Sequence, residues 1–152
     1  RWLQALARGV LALSAWQAWP ARAQRMVSGQ LLSLPQMLEP LLQGRTAQPQ
    51  GLRLELPVLA DNGSLVPARV LVDSPMTEGD HVRRVVLLSN RNPRPVIAEF
   101  ELGPWSAQAE VATRVRLNGS QEVMALVQTS DGRWWRGTAE VEVTESACMD
   151  AS

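Results

Sequence analysis

An all-β, immunoglobulin-like sandwich of about seven strands with a short N-terminal helix is the fold class the sequence predicts, and three observations predict it. From Leu52 onward apolar residues recur at every second position, Asn/Asp-Gly sequences punctuate the runs, and the runs fit into about 95 residues, the size of one sandwich domain. Before Leu52 the period is different. Leu31, Leu34, Leu38, Leu41 and Leu42 follow 3.6-residue spacing, which predicts a helix over 31–42 with Pro35 in its first turn and Pro40 kinking or ending it. The stretch 43–51, rich in Gly, Gln, Thr and Pro, reads as a linker.

The strands follow in order. Leu52, Leu54, Leu56 and Val58 alternate with Arg53, Glu55 and Pro57, a strand with one buried face, and Asp61-Asn62-Gly63 reads as a turn because Asn and Gly tolerate positive φ. Leu65 to Val72 resumes as a strand and Ser74 to Gly79 breaks it. Val82 to Leu88 is a continuous β-branched and apolar run. Pro95 to Leu102 alternates through Val96, Ala98, Phe100 and Leu102, and Val111 to Leu117 through Val111, Thr113, Val115 and Leu117. Val123 to Val127 and Trp134 to Val143 form a closing hairpin around Ser130-Asp131-Gly132. No Cys-Trp-Cys pattern occurs, which excludes an antibody-type domain.

Residues 1–23 read as an export signal. Arg1 and Arg8 flank a short positive region, Val10 to Trp19 is apolar, and Ala21-Arg22-Ala23 is a small-x-small cleavage site ahead of Gln24. The apolar stretch is shorter than the roughly 20 residues needed to span a bilayer, so no membrane insertion is expected after cleavage. Arg1 before Trp2 and Leu3 leaves a twin-arginine route open. The domain division expected is therefore signal peptide 1–23, helix and linker 24–50, sandwich domain 51–144, and a C-terminal arm 145–152. All fifteen basic residues are Arg, and without the signal 12 Arg face 15 Asp and Glu. The resulting charge of about −3 argues against nucleic acid as a partner, since phosphate binding rests on clustered cations.

Cys148 is the sole cysteine and stands on the run Glu145-Ser146-Ala147-Cys148-Met149-Asp150, past the last predicted strand. A cysteine used as a small hydrophobe is normally buried inside an element, so this placement points to a thiol offered to other molecules. An exported lone cysteine has three uses: it pairs with another molecule, it carries something, or it stays free. Other chemistry is thinly represented. His81 is the sole histidine and has no Cys, His or paired acid at ligand spacing, so a surface or partly satisfied histidine is expected, with no metal or cofactor site. There is no glycine-rich phosphate loop and no Gly-x-Ser-x-Gly elbow. Glu99, Glu101, Glu140 and Glu142 sit on alternating strand positions, the pattern of a solvated sheet face and not of a catalytic pair. No catalytic residue is assigned. Adjacent Trp134 and Trp135 must point to opposite faces; one belongs to the core, and the other, beside Arg133 and Arg136, either anchors a partner or packs under the N-terminal helix.

Several segments taken together resemble a known family. Ala60-Asp61-Asn62-Gly63 with Leu65-Val66-Pro67-Ala68, the loop Asn90-Arg91-Asn92-Pro93-Arg94-Pro95, Ser106 to Leu117 and the hairpin Gly132 to Thr144 are similar, in order and spacing, to SoxY, the sulfur-carrier subunit of the periplasmic thiosulfate-oxidising system. The resemblance covers essentially the chain after the signal. It implies an immunoglobulin-like domain that pairs with a second β-sandwich subunit, SoxZ, and carries sulfur intermediates covalently on the cysteine of a C-terminal arm, here Cys148. Sox-type periplasmic enzymes would attach thiosulfate, oxidise the carried sulfur and hydrolyse off sulfate, so the carrier itself is not an enzyme and needs no cofactor. The Asn90 to Pro95 loop either contacts that partner or is a restricted turn.

At the arm the sequence departs from the family. A typical SoxY ends Gly-Gly-Cys-Gly-Gly, whereas this chain has Ser146-Ala147-Cys148-Met149-Asp150. Glycines keep an arm thin and free to adopt positive φ, while Met149 and Asp150 add bulk and charge. Glu145 and Asp150 place negative charge about the thiol, which disfavours the thiolate and repels anions. The four residues Glu145 to Cys148 would still reach roughly 13 Å. Three functional readings remain open: a periplasmic SoxY-type carrier loaded at Cys148, a SoxY-like binding or scaffold module that has lost carrier chemistry, and a different exported sandwich whose cysteine forms an intermolecular disulfide.

Overall fold

Ser33 caps the first helix. A computed structural model describes residues 33–145. The export signal expected at residues 1–23 and the arm residue Cys148 lie outside the described residues. Helix α1 spans Leu34–Leu42; the Gln36 side chain accepts the Ser33 backbone N–H at 2.9 Å, Pro35 lies in the first turn, and Gln43 closes the helix in the left-handed region at φ 50°. Pro40 lies inside the last turn of the helix, which continues past it to Leu42. Met37 and Leu42 are buried, with Leu38 and Leu41 packed beside them.

Nine strands follow: β1 Ala47–Gln48, β2 Leu52–Glu55, β3 Leu59–Asn62, β4 Val66–Val72, β5 Val82–Ser89, β6 Val96–Glu101, β7 Glu110–Val115, β8 Gln121–Thr129 and β9 Trp134–Glu145, with a 3-10 turn at Gly63–Leu65 between β3 and β4. They form two sheets. The larger has the order β1-β9-β8-β5-β6, with β3 also on β9, and the smaller has the order β2-β4-β7. The predicted sandwich is therefore present, and each of the seven expected strands is found within a few residues of its expected limits. The two additional strands arise where the sequence showed no alternation. β1 is a two-residue parallel pairing of Ala47 and Gln48 with Trp134 and Trp135, inside the stretch read as a linker. The first expected strand, 52–58, stops early: β2 ends at Glu55 before Pro57, which has no N–H to give a ladder, and β3 begins beyond the expected strand, at Leu59–Asn62, running into the residues read as a turn. β3 then crosses to the other sheet and pairs in parallel with β9, so Asp61-Asn62-Gly63 ends a strand and starts a 3-10 turn instead of closing a hairpin.

Three layers result. Val85, Leu87, Val123, Ala125 and Val127 face the smaller sheet and meet Val66, Val70, Val111, Val115 and Leu117 in the main core. The alternate residues Val86, Leu88, Met124 and Leu126 face the other way and, with Trp134 and Ala47, receive Leu42 of α1. Strands β5 and β8 are covered on both faces, which explains why Val82 to Leu88 reads as a continuous apolar run while the outer strands alternate. No helix among the described residues is long and apolar enough to cross a membrane.

The β8–β9 hairpin turns at Ser130-Asp131-Gly132, with Gly132 at φ 84°. The Thr129 hydroxyl donates to Asp131 Oδ1 at 2.5 Å, and Arg133 adds its backbone N–H at 3.1 Å and its Nε at 2.5 Å. These donors, the Thr129 hydroxyl first, hold the Asp131 carboxyl below its ordinary range. A depressed folded-state pKa means that the contribution of Asp131 to stability is present above the unfolded value of about 3.9 and is lost as pH falls through the folded value. The stability difference between the parent chain and Asp131→Ala, measured by urea unfolding at a series of pH values, should be constant near neutrality and shrink below about pH 4.

Candidate functional site at the root of the C-terminal arm

The last strand is held to its final residue. Leu59 pairs with Glu142, Ala60 with Val143 and Asn62 with Glu145. The Glu142 N–H donates to the Val58 carbonyl at 2.8 Å, the Thr144 hydroxyl to the Asp61 carbonyl at 2.7 Å, and the Val143 N–H to Ser120 Oγ at 2.8 Å. Glu145, the last of the described residues, thus belongs to β9, at the start of the segment 145–152 that the sequence assigns to the arm.

Gly63 makes this root possible. Asn62 Oδ1 accepts the Ser64 N–H at 2.7 Å and tightens the turn, and the Gly63 carbonyl accepts the Leu117 N–H at 2.7 Å. A Cβ on Gly63 would collide with the Leu117 carbonyl and lie 3.1 Å from the Glu145 carbonyl and 3.0 Å from Val143 Cγ1. Two of these neighbours are backbone and cannot rotate away. Gly63→Ala should therefore cost about 1–3 kcal/mol by overpacking, read as a lower urea midpoint.

Ser120, which holds Val143, is itself held by the proline-rich loop. The Arg91 guanidinium donates to the Ser120 carbonyl at 2.8 Å. Asn92 donates from Nδ2 to the Arg116 carbonyl at 2.6 Å and accepts the Asn118 N–H at 2.9 Å. The Ser89 hydroxyl, bonded to Gln121 Oε1, accepts the Arg91 and Asn92 N–H groups. Of the two readings of Asn90 to Pro95, the restricted turn accounts for these bonds: the loop braces the segment that grips the arm root. The motifs that carried the family resemblance converge here, since Asn62-Gly63, Asn90 to Pro95, Leu117 and the end of the Gly132 to Thr144 hairpin all meet at one end of the sandwich.

Other sequence candidates fall elsewhere. His81 is partly buried, with Nδ1 3.0 Å from the Thr77 carbonyl, as a partly satisfied histidine should be. Among the described residues no group of three or more His, Cys, Asp or Glu could hold a metal ion. Glu99, Glu101, Glu140 and Glu142 are exposed, and Arg84 pairs with Glu99 at 2.6 Å. Both tryptophans of β9 are spent on packing. Trp134 is 3% exposed under α1, and Trp135 packs against the main core with Arg133 5.9 Å above its ring. A Cβ on Gly51 would overlap the Trp135 ring, so this ring does not stand free as a partner anchor. Among the described residues the exposed tryptophan is Trp105, which no sequence pattern singles out. Ser120 and Thr144 carry no signal of their own in the sequence, and Gly63 reads only as a turn glycine until β3 is placed beside β9.

The described residues define a β-sandwich of two sheets covered by one short helix, in which β9 is clamped through Glu145 at one pole. The chain belongs to the SoxY family: the family of the sulfur oxidation protein SoxY matches residues 39–148, so the match extends through Cys148. No curated protein matches the chain significantly in sequence. Among solved structures, the sulfur carrier protein SoxY from Chlorobium limicola f thiosulfatophilum superposes with a TM-score of 0.58 at 23% identity, covering 70% of this chain and 87% of that one. Superoxide reductase (neelaredoxin) from Ignicoccus hospitalis follows with a TM-score of 0.55 at 18% identity, covering 74% and 99%, and superoxide reductase from Nanoarchaeum equitans with 0.53 at 15%, covering 63% and 100%. At these identities the structural likenesses concern the fold alone.

Proposed function

We propose that this protein is a periplasmic sulfur-compound carrier that holds thiosulfate-derived intermediates covalently on Cys148 for partner enzymes and does no turnover itself. The observation that carries the reading is that the family match runs through Cys148, three residues beyond a strand end gripped by β3, Ser120 and the Gly63 turn. A rigid root with a short thiol-bearing extension suits presentation of a cargo. In this reading residues 1–23 direct export, residues 145–152 contain the arm, and a SoxZ-like β-sandwich subunit completes a heterodimer. Loading joins the Cys148 sulfur to the outer sulfur of thiosulfate with loss of the thiol proton and two electrons, which a partner redox enzyme must accept. Hydrolysis of the terminal sulfonate then releases sulfate and leaves a persulfide.

The reading is tested by intact-mass measurement of the protein recovered from cells oxidising thiosulfate. Sulfur adducts removable by reductant are expected, and a bare thiol during active turnover contradicts it. The non-glycine run Ser146-Ala147-Cys148-Met149-Asp150 favours one second reading, a SoxY-like binding or scaffold module that has lost carrier chemistry. It predicts that Cys148→Ala leaves sulfur oxidation unchanged.

A further inference from the structure

The pole opposite the arm root holds a cleft that the carrier reading does not use. Strand β8 begins at Gln121, beside the arm root, and the cleft lies at its other end. Its volume is about 590 Å³, and it is lined from β5, β6 and β8 by Arg83, Glu101 and Gln128, and from two loops by Glu78, His81 and Trp105. Both loops are braced. The Ser106 N–H donates to the Gly103 carbonyl at 2.9 Å, closing a turn with Pro104 and Trp105 at its centre, and the Leu102 N–H donates to the Arg83 carbonyl at 2.9 Å. A Cβ on Gly103 would overlap the Trp105 ring, so the ring rests on the backbone while remaining 82% exposed. In the other loop, Ser130 Oγ donates to the Gly79 carbonyl at 3.1 Å and accepts the His81 N–H at 3.2 Å.

The lining mixes charge signs and hydrogen-bonding roles. Arg83, Glu78 and Glu101 form no ion pair among the described residues, whereas Arg84, also on the cleft, pairs with Glu99 at 2.6 Å. The two free carboxylates disfavour an anion, and the free guanidinium disfavours a cation. Arg83 donates, the carboxylates accept, and the Gln128 amide does both. His81 Nδ1, 3.0 Å from the Thr77 carbonyl, must carry its proton, which leaves Nε2 of the neutral ring as an acceptor. An uncharged molecule rich in hydroxyl groups answers such a set, because each hydroxyl both donates and accepts. The exposed indole adds a second preference: its face carries partial negative charge and attracts the weakly positive C–H groups of a pyranose ring. We propose that this cleft binds a short uncharged saccharide, with Trp105 as the stacking platform and Arg83, Glu101 and Gln128 bonding the sugar hydroxyls. Its volume lies in the range of small-ligand sites, and loops already held in place keep the ordering cost of binding low. The site is separate from Cys148 and stands whether or not the carrier reading holds.

The test is isothermal titration of the full chain with maltotriose, cellotriose and triacetylchitotriose, and with thiosulfate as an anionic control. At least one trisaccharide should bind one-to-one with a Kd of about 1 mM or tighter. Trp105→Ala should weaken that binding about tenfold or more at an unchanged melting temperature, since the ring is exposed. Arg83→Ala, at a second exposed position, should weaken it in the same direction and serves where the tryptophan variant is destabilised. The bound trisaccharide should also protect the parent's tryptophan fluorescence from acrylamide quenching, and this protection should be lost in Trp105→Ala. Absence of binding by all three trisaccharides at about 10 mM overturns the proposal. Binding that survives both Trp105→Ala and Arg83→Ala places the sugar elsewhere and overturns it as well. Thiosulfate binding at the cleft without any trisaccharide binding overturns the uncharged class. Inert trisaccharides, with a partner-subunit complex that Trp105→Ala abolishes in size-exclusion chromatography, make Trp105 a protein anchor and overturn the saccharide site.

Discussion

Cys148→Ala should abolish thiosulfate-dependent respiration in complemented cells while leaving the melting temperature of the purified protein unchanged. The reason for the contrast is position. The described sandwich runs to Glu145, and its main core is built from residues such as Val66, Val70, Val123 and Val127, all well before position 148 in the chain. Removing the sulfur removes the only atom in the chain able to form a covalent sulfur bond of the cargo type, since the five methionines lack a thiol. The loss should therefore be complete, and partner binding through the domain should survive. Retention of respiration would transfer the function to the domain surface and favour the scaffold module. Size-exclusion chromatography with the partner subunit separates a binding defect from a loading defect.

Trp134→Ala should have the largest effect on stability, about 3–5 kcal/mol, a large share of the 5–15 kcal/mol typical of a domain. Trp134 is 3% exposed and forms the floor under α1, in one cluster with Leu42, Ala47, Val86, Leu88, Met124 and Leu126. Its removal leaves a cavity that the β8–β9 ladder, fixed by the Gln128 to Trp134 and Val127 to Trp135 pairs, cannot close. Urea unfolding should show a lower midpoint, and a lower slope as well if α1 detaches before the sandwich opens. Trp105→Ala is the control. That ring is 82% exposed and lies over Gly103, so its loss should change stability by no more than about 0.5 kcal/mol.

How much of this was legible in the sequence depended on whether a residue's role was local. Val82 to Leu88 and Val123 to Val127 announced themselves because burial on both faces selects an unbroken apolar run. Ser130-Asp131-Gly132 was readable because a tight hairpin requires positive φ at Gly132. β3 was not readable: Leu59-Ala60-Asp61-Asn62 is four residues long, has no alternation, and ends in turn-type residues, and it becomes a strand only because the edge of β9 is open to it. β1 is shorter still and exists for the same reason.

The candidate site divided along the same line. Cys148 was conspicuous as the sole cysteine beyond the last strand, and the Asn90 to Pro95 loop was conspicuous as a family motif. Their connection was invisible, because it runs from Arg91 and Asn92 to the 116–120 segment, from Ser120 to Val143, and from there to the strand end. Gly63 illustrates the limit. As the last residue of Asp61-Asn62-Gly63 it reads as a turn glycine, whereas its position is closed to a side chain by carbonyls of Leu117 and Glu145, residues distant in sequence.

The central claim is that Cys148 bears the cargo, and peptide mass mapping through a thiosulfate pulse tests it most directly. Protein sampled from thiosulfate-starved cells, during the pulse and after its exhaustion should show a sulfur adduct confined to the Cys148 peptide that rises with the pulse, is removed by reductant and declines when substrate is spent. An unmodified Cys148 peptide throughout, in cells that are consuming thiosulfate, would contradict the account.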